Sequence, residues 1–521
     1  MSAESNQDKS IAENAADYDA LPYLTGAMHT TQPSRLAAVA HLFGLSPKPV
    51  GQSRVLEIGC SIGGNLTPLA ARYPSAEFIG IDISQVQINL GRKRVEELGL
   101  KNCSLRCISL TDMGDEFGGF DYIICHGVYS WVPPHIQSEV FRVIPERLNS
   151  DGVAQVSFNV LPGWRAWQPF RDAALAMLPD SMPINQKVPA ALELLNFVVA
   201  AQRGNDSKYN VGLRELADNL KRHHSYYIGH EHLEDANNPC TFKDFVSRAE
   251  AGGLAYLGDS NISNMMPQNL KPQVMDDLLR RTGGNLLAME QMLDILTGRT
   301  FRNALLIHKE DAPKVKRDLD LTRFDSLHFA ATADVTYRHL GNAVVLDLGQ
   351  AKQARIDSPA SILAVKKVFD ARPGSVSMAS LLEGQPNAME IRKTFAELAL
   401  ADAVTIFFEP LPAAARCPEK PKAFWLAQQD AVAHYTHTAT LAHQRFELTP
   451  LSNFLLARMD GTKTVAELKA ALAAELMTGR LSFTADRKKK VNALNMANES
   501  QDFATELLDA LVARALIERP T

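Results

Sequence analysis

The chain has 521 residues, 46% of them hydrophobic and 22% charged, with a formal net charge of −5. That balance fits a folded protein of three or four domains at about 150 residues each, and it argues against a general nucleic-acid binder, which would carry a basic stripe. Six cysteines, none in a C-x-x-C spacing, point to a reducing compartment without a disulfide framework. The first 17 residues are polar and acidic, with neither a basic nor an apolar signal-peptide region, so no secretory signal is expected. No stretch approaches ~18 uninterrupted apolar residues, so no membrane span is expected either, and the cytoplasm is the expected location.

The first strong element is the apolar run Val55, Leu56, Ile58, read as a buried strand that ends in a glycine turn. A helix then opens at Asn65, a good N-cap, with Pro68 at its third position. A strand, a glycine loop and a helix N-terminus together suit a nucleotide-like ligand. A dinucleotide fingerprint requires G-x-G-x-x-G, but Ser61 stands where its second glycine should be. Glu57, two residues ahead of Gly59, favours a cationic, phosphate-free cofactor instead. The next strand, 77–82, ends in Asp82, about 20 residues past the loop, the spacing of a ribose-hydroxyl acceptor. A third unit, 104–110, leads to Thr111-Asp112-Met113, and a fourth, 120–125, to His126-Gly127-Val128-Tyr129-Ser130-Trp131. Amphipathic stretches at 88–98 and 136–148 lie between them, and a fifth strand, 153–159, follows a turn at 149–152. The alternation predicts an α/β fold with a doubly wound, mostly parallel sheet and ligands at the carboxyl ends of its strands.

Completing such a sheet requires one more helix and an antiparallel strand pair. The next suitable helix spans 242–251 and stops at Gly252-Gly253, before a strand at 254–257 and a last strand at 301–308. Two insertions follow from that order: a helical one at about 165–240 and another at about 260–298. Insertions at strand ends lie over the ligand, as a lid, a substrate platform or a dimer contact. Beyond 310, the segments 358–406 and 449–517 share an order of signals. Each opens Ser/Thr-Pro, passes a turn with Gly374 or Gly461, and continues into two helices, the pattern of a repeated winged-helix unit. An acidic chain makes protein contact a better role for these units than DNA contact. Arg487-Lys-Lys-Lys490, the longest basic run, reads as a solvated loop.

Glu57-x-Gly59, Gly63-Gly64-Asn65, Asp82 and Asp112 resemble the S-adenosylmethionine site of class I methyltransferases. Tyr18-Asp-x-x-Pro22-Tyr23, Thr31-Gln-Pro-x-Arg35-Leu36, 126–133, Pro162-Gly-Trp164 and 230–239 narrow the resemblance. They are similar to stretches of bacterial methyltransferases with a methyltransferase regulatory domain, whose characterised relatives methylate lysines of outer-membrane proteins. The resemblance runs through roughly the first 310 residues and more weakly to the end. It implies S-adenosylmethionine held by Tyr23, Glu57, Gly59, Cys60, Gly63, Asn65, Asp82, Ile83, Asp112, Met113, His126 and Gly127. It implies a catalytic domain at 1–164 with 241–310, a lid or dimerisation insertion at 165–240, a middle domain at 311–415 and a winged-helix-like domain at 416–521. A protein substrate, such as an outer-membrane protein before export, and a homodimer are the partners it suggests, with no nucleic acid and no membrane.

Tyr129, Trp131 and Trp164 lie at adjacent strand ends and read as a substrate channel rather than core. A dry aromatic channel would favour a neutral lysine, and Asn159 could orient its amine. His223, His224, His230 and His232, with Glu231, Glu234 and Asp235, could suggest a metal, but a domain junction is the favoured reading and no metal is expected. Cys103 and Cys107 read as buried small side chains. The alternatives are a small-molecule methyltransferase and a non-catalytic cofactor-binding regulator. The inserts and tail units favour a macromolecular substrate, and the intact acids disfavour a dead site. Because the sheet closes at 301–308, residues beyond about 310 are expected to be dispensable for cofactor binding, with a chain ending near Pro313 still folding.

Overall fold

The computed structural model describes residues 25–520 except 180, 203, 235, 266–269, 350–351, 485–487 and 489–494. Its centre is a seven-stranded sheet of β1 (Arg54–Ile58), β2 (Glu77–Asp82), β3 (Cys103–Cys107), β4 (Phe120–Cys125), β5 (Leu148–Asn159), β6 (Leu254–Asp259) and β7 (Phe301–His308). The spatial order is β3-β2-β1-β4-β5-β7-β6. β1 to β5 run parallel, and β7 is antiparallel to both β5 and β6. β1 and β4 are buried almost throughout, because helices cover both faces of a parallel sheet. β3 alternates buried and exposed residues, as an edge strand does, and is shorter than the sequence suggests. After Cys107 the chain enters a 3₁₀ turn, Leu110–Asp112, captured when Ser109 Oγ accepts from the Thr111 N–H. The chain leaves β1 toward β2 on one side and reaches β4 on the other, so a crevice opens at their carboxyl ends.

Helices lie between β5 and β6 and between β6 and β7. Helices Gln168–Met177, Ile184–Ala201 and Lys208–Leu220 pack on a small core of their own that includes Phe170, Leu195, Leu213 and Leu220. Helices Pro272–Thr282 and Leu286–Thr297 form the second insertion, and a buried charge network fastens it to the sheet. Arg302 of β7 donates from Nε to Asp294 Oδ2 at 2.9 Å and from Nη1 to Glu290 Oε2 at 2.8 Å. The Tyr256 hydroxyl donates to Glu290 Oε2 at 2.8 Å, and the guanidinium lies 4.0 Å from the centre of the Phe242 ring. Among the described residues, no helix is long and apolar enough to cross a membrane.

The tail begins with β8 (His328–Ala331) and a separate sheet of β9 (Thr336–Leu340), β10 (Ala343–Asp347) and β11 (Gln353–Ile356). β8 then pairs with β12 (Val376–Ser377) and β13 (Val404–Phe407) beside helices Pro359–Asp370, Met378–Leu382 and Ala388–Leu400. The second unit comprises helices Trp425–Val432, Pro450–Leu456, Val465–Met477 and Met496–Ala513, with a hairpin of β14 (His437–Ala439) and β15 (Arg445–Glu447). The Ser/Thr-Pro openings are helix N-caps: Ser358 and Thr449 each accept from a backbone N–H three residues on, with Pro at the first helical position. Of the basic run, Arg487, Lys489 and Lys490 lie outside the described residues.

The tail is not an appendage. Phe324, Leu327, Phe329 and Phe395 share one hydrophobic core with Leu36, Val39, Phe43 and the sheet. Helix Pro33–Leu42 lies between these layers, and every residue in it but His41 is buried. The Phe408 and Glu409 N–H groups donate to the Ser34 carbonyl and hydroxyl, each at 2.9 Å. A chain ending near Pro313 would expose that apolar layer, so the expectation that it would fold is corrected. The charge network carries a prediction of its own. Arg302→Leu leaves two buried carboxylates without their main partner and should cost about 3–5 kcal/mol. Thermal unfolding measures this, and an unchanged melting temperature would refute it.

Candidate active site

The glycine loop after β1 folds over the end of β2, where the Gly59 and Cys60 N–H groups donate to the Ile81 carbonyl at 2.9 and 3.0 Å. Gly59 has φ +72°, and a Cβ there would stand 2.3 Å from Val128 Cγ2, so only glycine fits. Ser61, where a glycine is usual, also takes a left-handed conformation, φ 53°. Its hydroxyl bonds Gln87 Oε1, and its N–H donates to Asp82 Oδ2 at 2.8 Å. Asp82 Oδ1 accepts from the Ser84 N–H at 2.9 Å, so the loop and the acid lock each other in place.

Glu57 is buried beside this loop. Its Oε1 accepts from Asn65 Nδ2 at 2.9 Å, and its Oε2 has no partner among the described residues. Burial pushes the carboxyl up to about 8, against the pull of the Asn65 bond. Asn65 precedes its helix, Leu66–Arg72, but its side chain does not cap it. Instead Asn65 Oδ1 accepts from the Met28 N–H at 3.1 Å and from His443 Nε2 at 2.7 Å, with the Thr31 hydroxyl at 3.1 Å.

A cavity of about 450 Å³ opens at the ends of β1, β2 and β4. Its wall includes Glu57, Gly59 and Asp82, the apolar Ile83, Ile108 and Leu110, and the segment 25–28. Gly64 lets that segment come close, since a Cβ there would meet the Thr25 carbonyl at 2.1 Å. The same wall includes Trp131, Tyr226, Tyr227, Glu231 and Glu234. Glu231 sits on a π-helical turn, Gly229–Leu233, a geometry common at functional sites. His230 Nδ1 lies 2.6 Å from Glu234 Oε1, and burial raises the Glu231 carboxyl to about 7. Burial lowers His126, also in the wall, to about 4, so its imidazole is neutral at pH 7.

Of the residues singled out from the sequence, Glu57, Gly59, Asn65, Asp82, Ile83, His126, Gly127 and Trp131 line this cavity. Tyr23 lies outside the described residues. Cys60, Gly63, Asp112, Met113, Tyr129 and Asn159 are absent from the wall. Cys60 packs behind the loop on Gly80, and Gly63 backs onto Leu105. Met113 joins the core near Phe117, whereas Asp112 sits exposed on the 3₁₀ turn, because the strand stops short of it. Tyr129 is fully buried against Phe141 and Phe245, ring centres 5.1 and 5.4 Å apart, so it is core rather than channel. Asn159 is fully buried at the end of β5, and its side-chain N and O lack partners among the described residues. Trp164 stands behind Trp131, ring centres 5.8 Å apart, and stacks on His232. His223 and His224 are exposed, Asp235 lies outside the described residues, and no metal-holding group of three His, Cys, Asp or Glu occurs among the described residues. Tyr226, Tyr227, Arg445 and the segment 25–28 were not anticipated, because nothing local in the sequence marks them as wall.

This donor set fits S-adenosylmethionine. A buried carboxylate oxygen without a donor suits an ammonium, Asp82 suits ribose hydroxyls, and the apolar slot suits adenine. Among the described residues, Arg445 is the one Lys or Arg in the wall, so no cluster awaits phosphates.

Family models match three parts of the chain: a methyltransferase domain at 55–152, a predicted methyltransferase regulatory domain at 224–308, and a PKMT C-terminal winged helix domain at 419–516. The uncharacterized protein RP789 of Rickettsia prowazekii is 38% identical over 59% of this chain, and the match spans 56% of its own length. The uncharacterized protein RP028 of the same organism is 33% identical over 46% of this chain and 95% of its own. Among solved structures, PKMT2 from Rickettsia typhi, also solved in complex with AdoHcy, has the same fold. The superposition has a TM-score of 0.82 at 24% identity and covers 95% of this chain and 100% of that one. The chain belongs to the class I S-adenosylmethionine-dependent methyltransferases of the PKMT type.

The state of Glu57 carries the next prediction. Without a ligand, the fold holds a proton that the unfolded chain releases above its ordinary value of 4.5, so Glu57 makes stability fall as pH rises from about 4.5 toward 8. A cationic amino group beside Oε2 reverses that preference. Cofactor binding at pH 7 should therefore release close to one proton, read by calorimetry in buffers of different ionisation enthalpy. Glu57→Gln should bind with no release, and equal release by both proteins would refute the assignment.

Proposed function

We propose that the protein transfers the methyl group of S-adenosylmethionine to the side-chain amine of lysines in a protein acceptor. One observation carries this reading: a single cavity is lined both by Glu57 and Asp82 and by the aromatic and acidic side chains of Trp131, Tyr226, Tyr227, Glu231 and Glu234. When bound, the cofactor supplies an electrophilic methyl carbon on a sulfonium. Glu57 Oε2 receives its amino group, Asp82 its ribose, and Ile83, Ile108 and Leu110 enclose its adenine. In the same cavity, Glu231 and Glu234 attract an ammonium, and the faces of Trp131, Tyr226 and Tyr227 stabilise it. A lysine must arrive neutral to react, at a cost of roughly 4–5 kcal/mol at pH 7. Low-dielectric walls reduce that cost, and Glu231, held near neutrality, takes the proton.

The winged-helix unit and the helical insertion are the surfaces we assign to recognition of the acceptor protein. The family resemblance adds an outer-membrane protein, met in the cytoplasm before export, as the acceptor class. The test is to incubate the protein with radiolabelled S-adenosylmethionine and separate cell-envelope, cytosolic-protein and metabolite fractions. Label should reach proteins and map to lysine by mass spectrometry, and label confined to metabolites overturns the reading.

Two substitutions separate the channel from the core. Trp131→Ala should lower turnover more than tenfold while cofactor affinity stays nearly unchanged. Tyr129→Ala should act instead through stability, losing about 3–5 kcal/mol with the buried ring. Melting curves and steady-state rates distinguish the two, and equal behaviour would remove the distinction.

A further inference from the structure

We infer that His443, delivered by the C-terminal winged-helix unit, is a positioning residue of the cofactor site: it donates to Asn65 Oδ1 and so holds the Asn65 amide against Glu57. The inference rests on Glu57 receiving the cofactor's amino group, as proposed above. The orientation of Asn65 follows from its partners. The Met28 N–H can only donate, so the Asn65 atom it meets at 3.1 Å is the oxygen, and the nitrogen is the atom that bonds Glu57 Oε1 at 2.9 Å. The ring nitrogen 2.7 Å from that oxygen must then carry a proton, which makes His443 Nε2 a donor. Burial, with Arg72 and His29 nearby, keeps the imidazole neutral, so the Nε2–H tautomer is the form present.

The turn that presents His443 is fixed from several sides. It joins β14 to β15, with the Thr440 N–H donating to the Gln444 carbonyl and the His443 N–H to the Thr440 carbonyl, each at 2.9 Å. His443 has φ 58°, an uncommon conformation for a residue with a side chain, maintained by the contacts around it. Arg72, on the helix that follows Asn65, donates to the Leu441 carbonyl at 2.6 Å and to the Pro410 carbonyl at 2.8 Å. Two residues on, Arg445 enters the cavity wall and donates to the Tyr226 hydroxyl at 3.2 Å. One turn of the C-terminal unit therefore touches the cofactor end through Asn65 and the acceptor end through Tyr226. Without the His443 donor, Asn65 Oδ1 keeps only its N-terminal partners. With the shortest of its three donors gone, the amide is held less firmly, and so is the bond that fixes which Glu57 oxygen faces the cavity.

The test compares the full chain carrying His443→Leu and His443→Gln with the parent, using calorimetry with S-adenosylhomocysteine. Gln places an amide N–H where the imidazole Nε2–H was, so its affinity should stay within about threefold of the parent, whereas Leu should lose at least about tenfold, with melting temperatures alike. A purely structural histidine would lower the melting temperature in both variants without this split. Hydrogen exchange on the unmodified protein provides a second readout that needs no variant. Saturating S-adenosylhomocysteine should slow exchange across residues 439–447, and unchanged exchange there overturns the inference. If His443→Leu binds as the parent does while Glu57→Gln binds weakly, His443 has no positioning role and the reading of Glu57 stands. If Glu57→Gln binds as tightly as the parent, the underlying reading itself fails.

Discussion

The bond from Asn65 Nδ2 to Glu57 Oε1 sets the character of the whole cavity. It satisfies one oxygen of a buried acid and leaves the other bare. A carboxyl in that state is expensive to ionise, which is why its proton is held to about 8. The fold gains no stability from such a group and is weaker for it until a cation arrives. Sites that carry local destabilisation of this kind belong to function rather than to folding. The glycine loop, the segment 25–28 and the turn at His443 all converge on Asn65, so each of them helps to hold one acid half-satisfied.

Three histidines around the site bring it no positive charge. Burial lowers His29 and His126 to about 4 and His443 to about 3, so all three are neutral where the protein works. None of the three thus opposes a cation beside Glu57 or Asp82, and Glu57, which holds its proton to about 8, gains its charge only when that cation arrives. Arg445 is the exception, and its charge is engaged by Tyr226 at the edge of the wall. A ligand with a positive centre therefore meets an environment that was neutral or acidic before it entered.

The sheet was legible because its signals are local. Apolar runs ended by glycine or acid marked β1, β2 and β4, and the Gly252-Gly253 stop separated a helix from β6. Gaps between these elements revealed both insertions. What stayed hidden depends on rotation or on distance. Tyr129 and Trp131 flank one residue of a 3₁₀ turn and face opposite sides, one into the core and one into the cavity. Asp112 has the right spacing for a strand end, but the strand turns away before reaching it. Asn65 stands at a cap position, yet its side chain is drawn off by partners from both ends of the chain. His443 is 378 residues from Asn65, and no periodicity records such a pairing. The same holds for the tail, whose Phe324 and Phe329 carry no mark of the helix they cover.

The turn at His443 also has a consequence for how the protein is made. Synthesis proceeds from the N-terminus, and elements that complete early can fold before the rest emerges. All seven strands of the central sheet leave the ribosome before residues 443–445 exist. A nascent chain has its glycine loop and its acids in sequence, yet it lacks Arg445 of the cavity wall and the His443 donor to Asn65. A product that stalls before residue 443 carries the glycine loop and its acids without the turn that reaches Asn65.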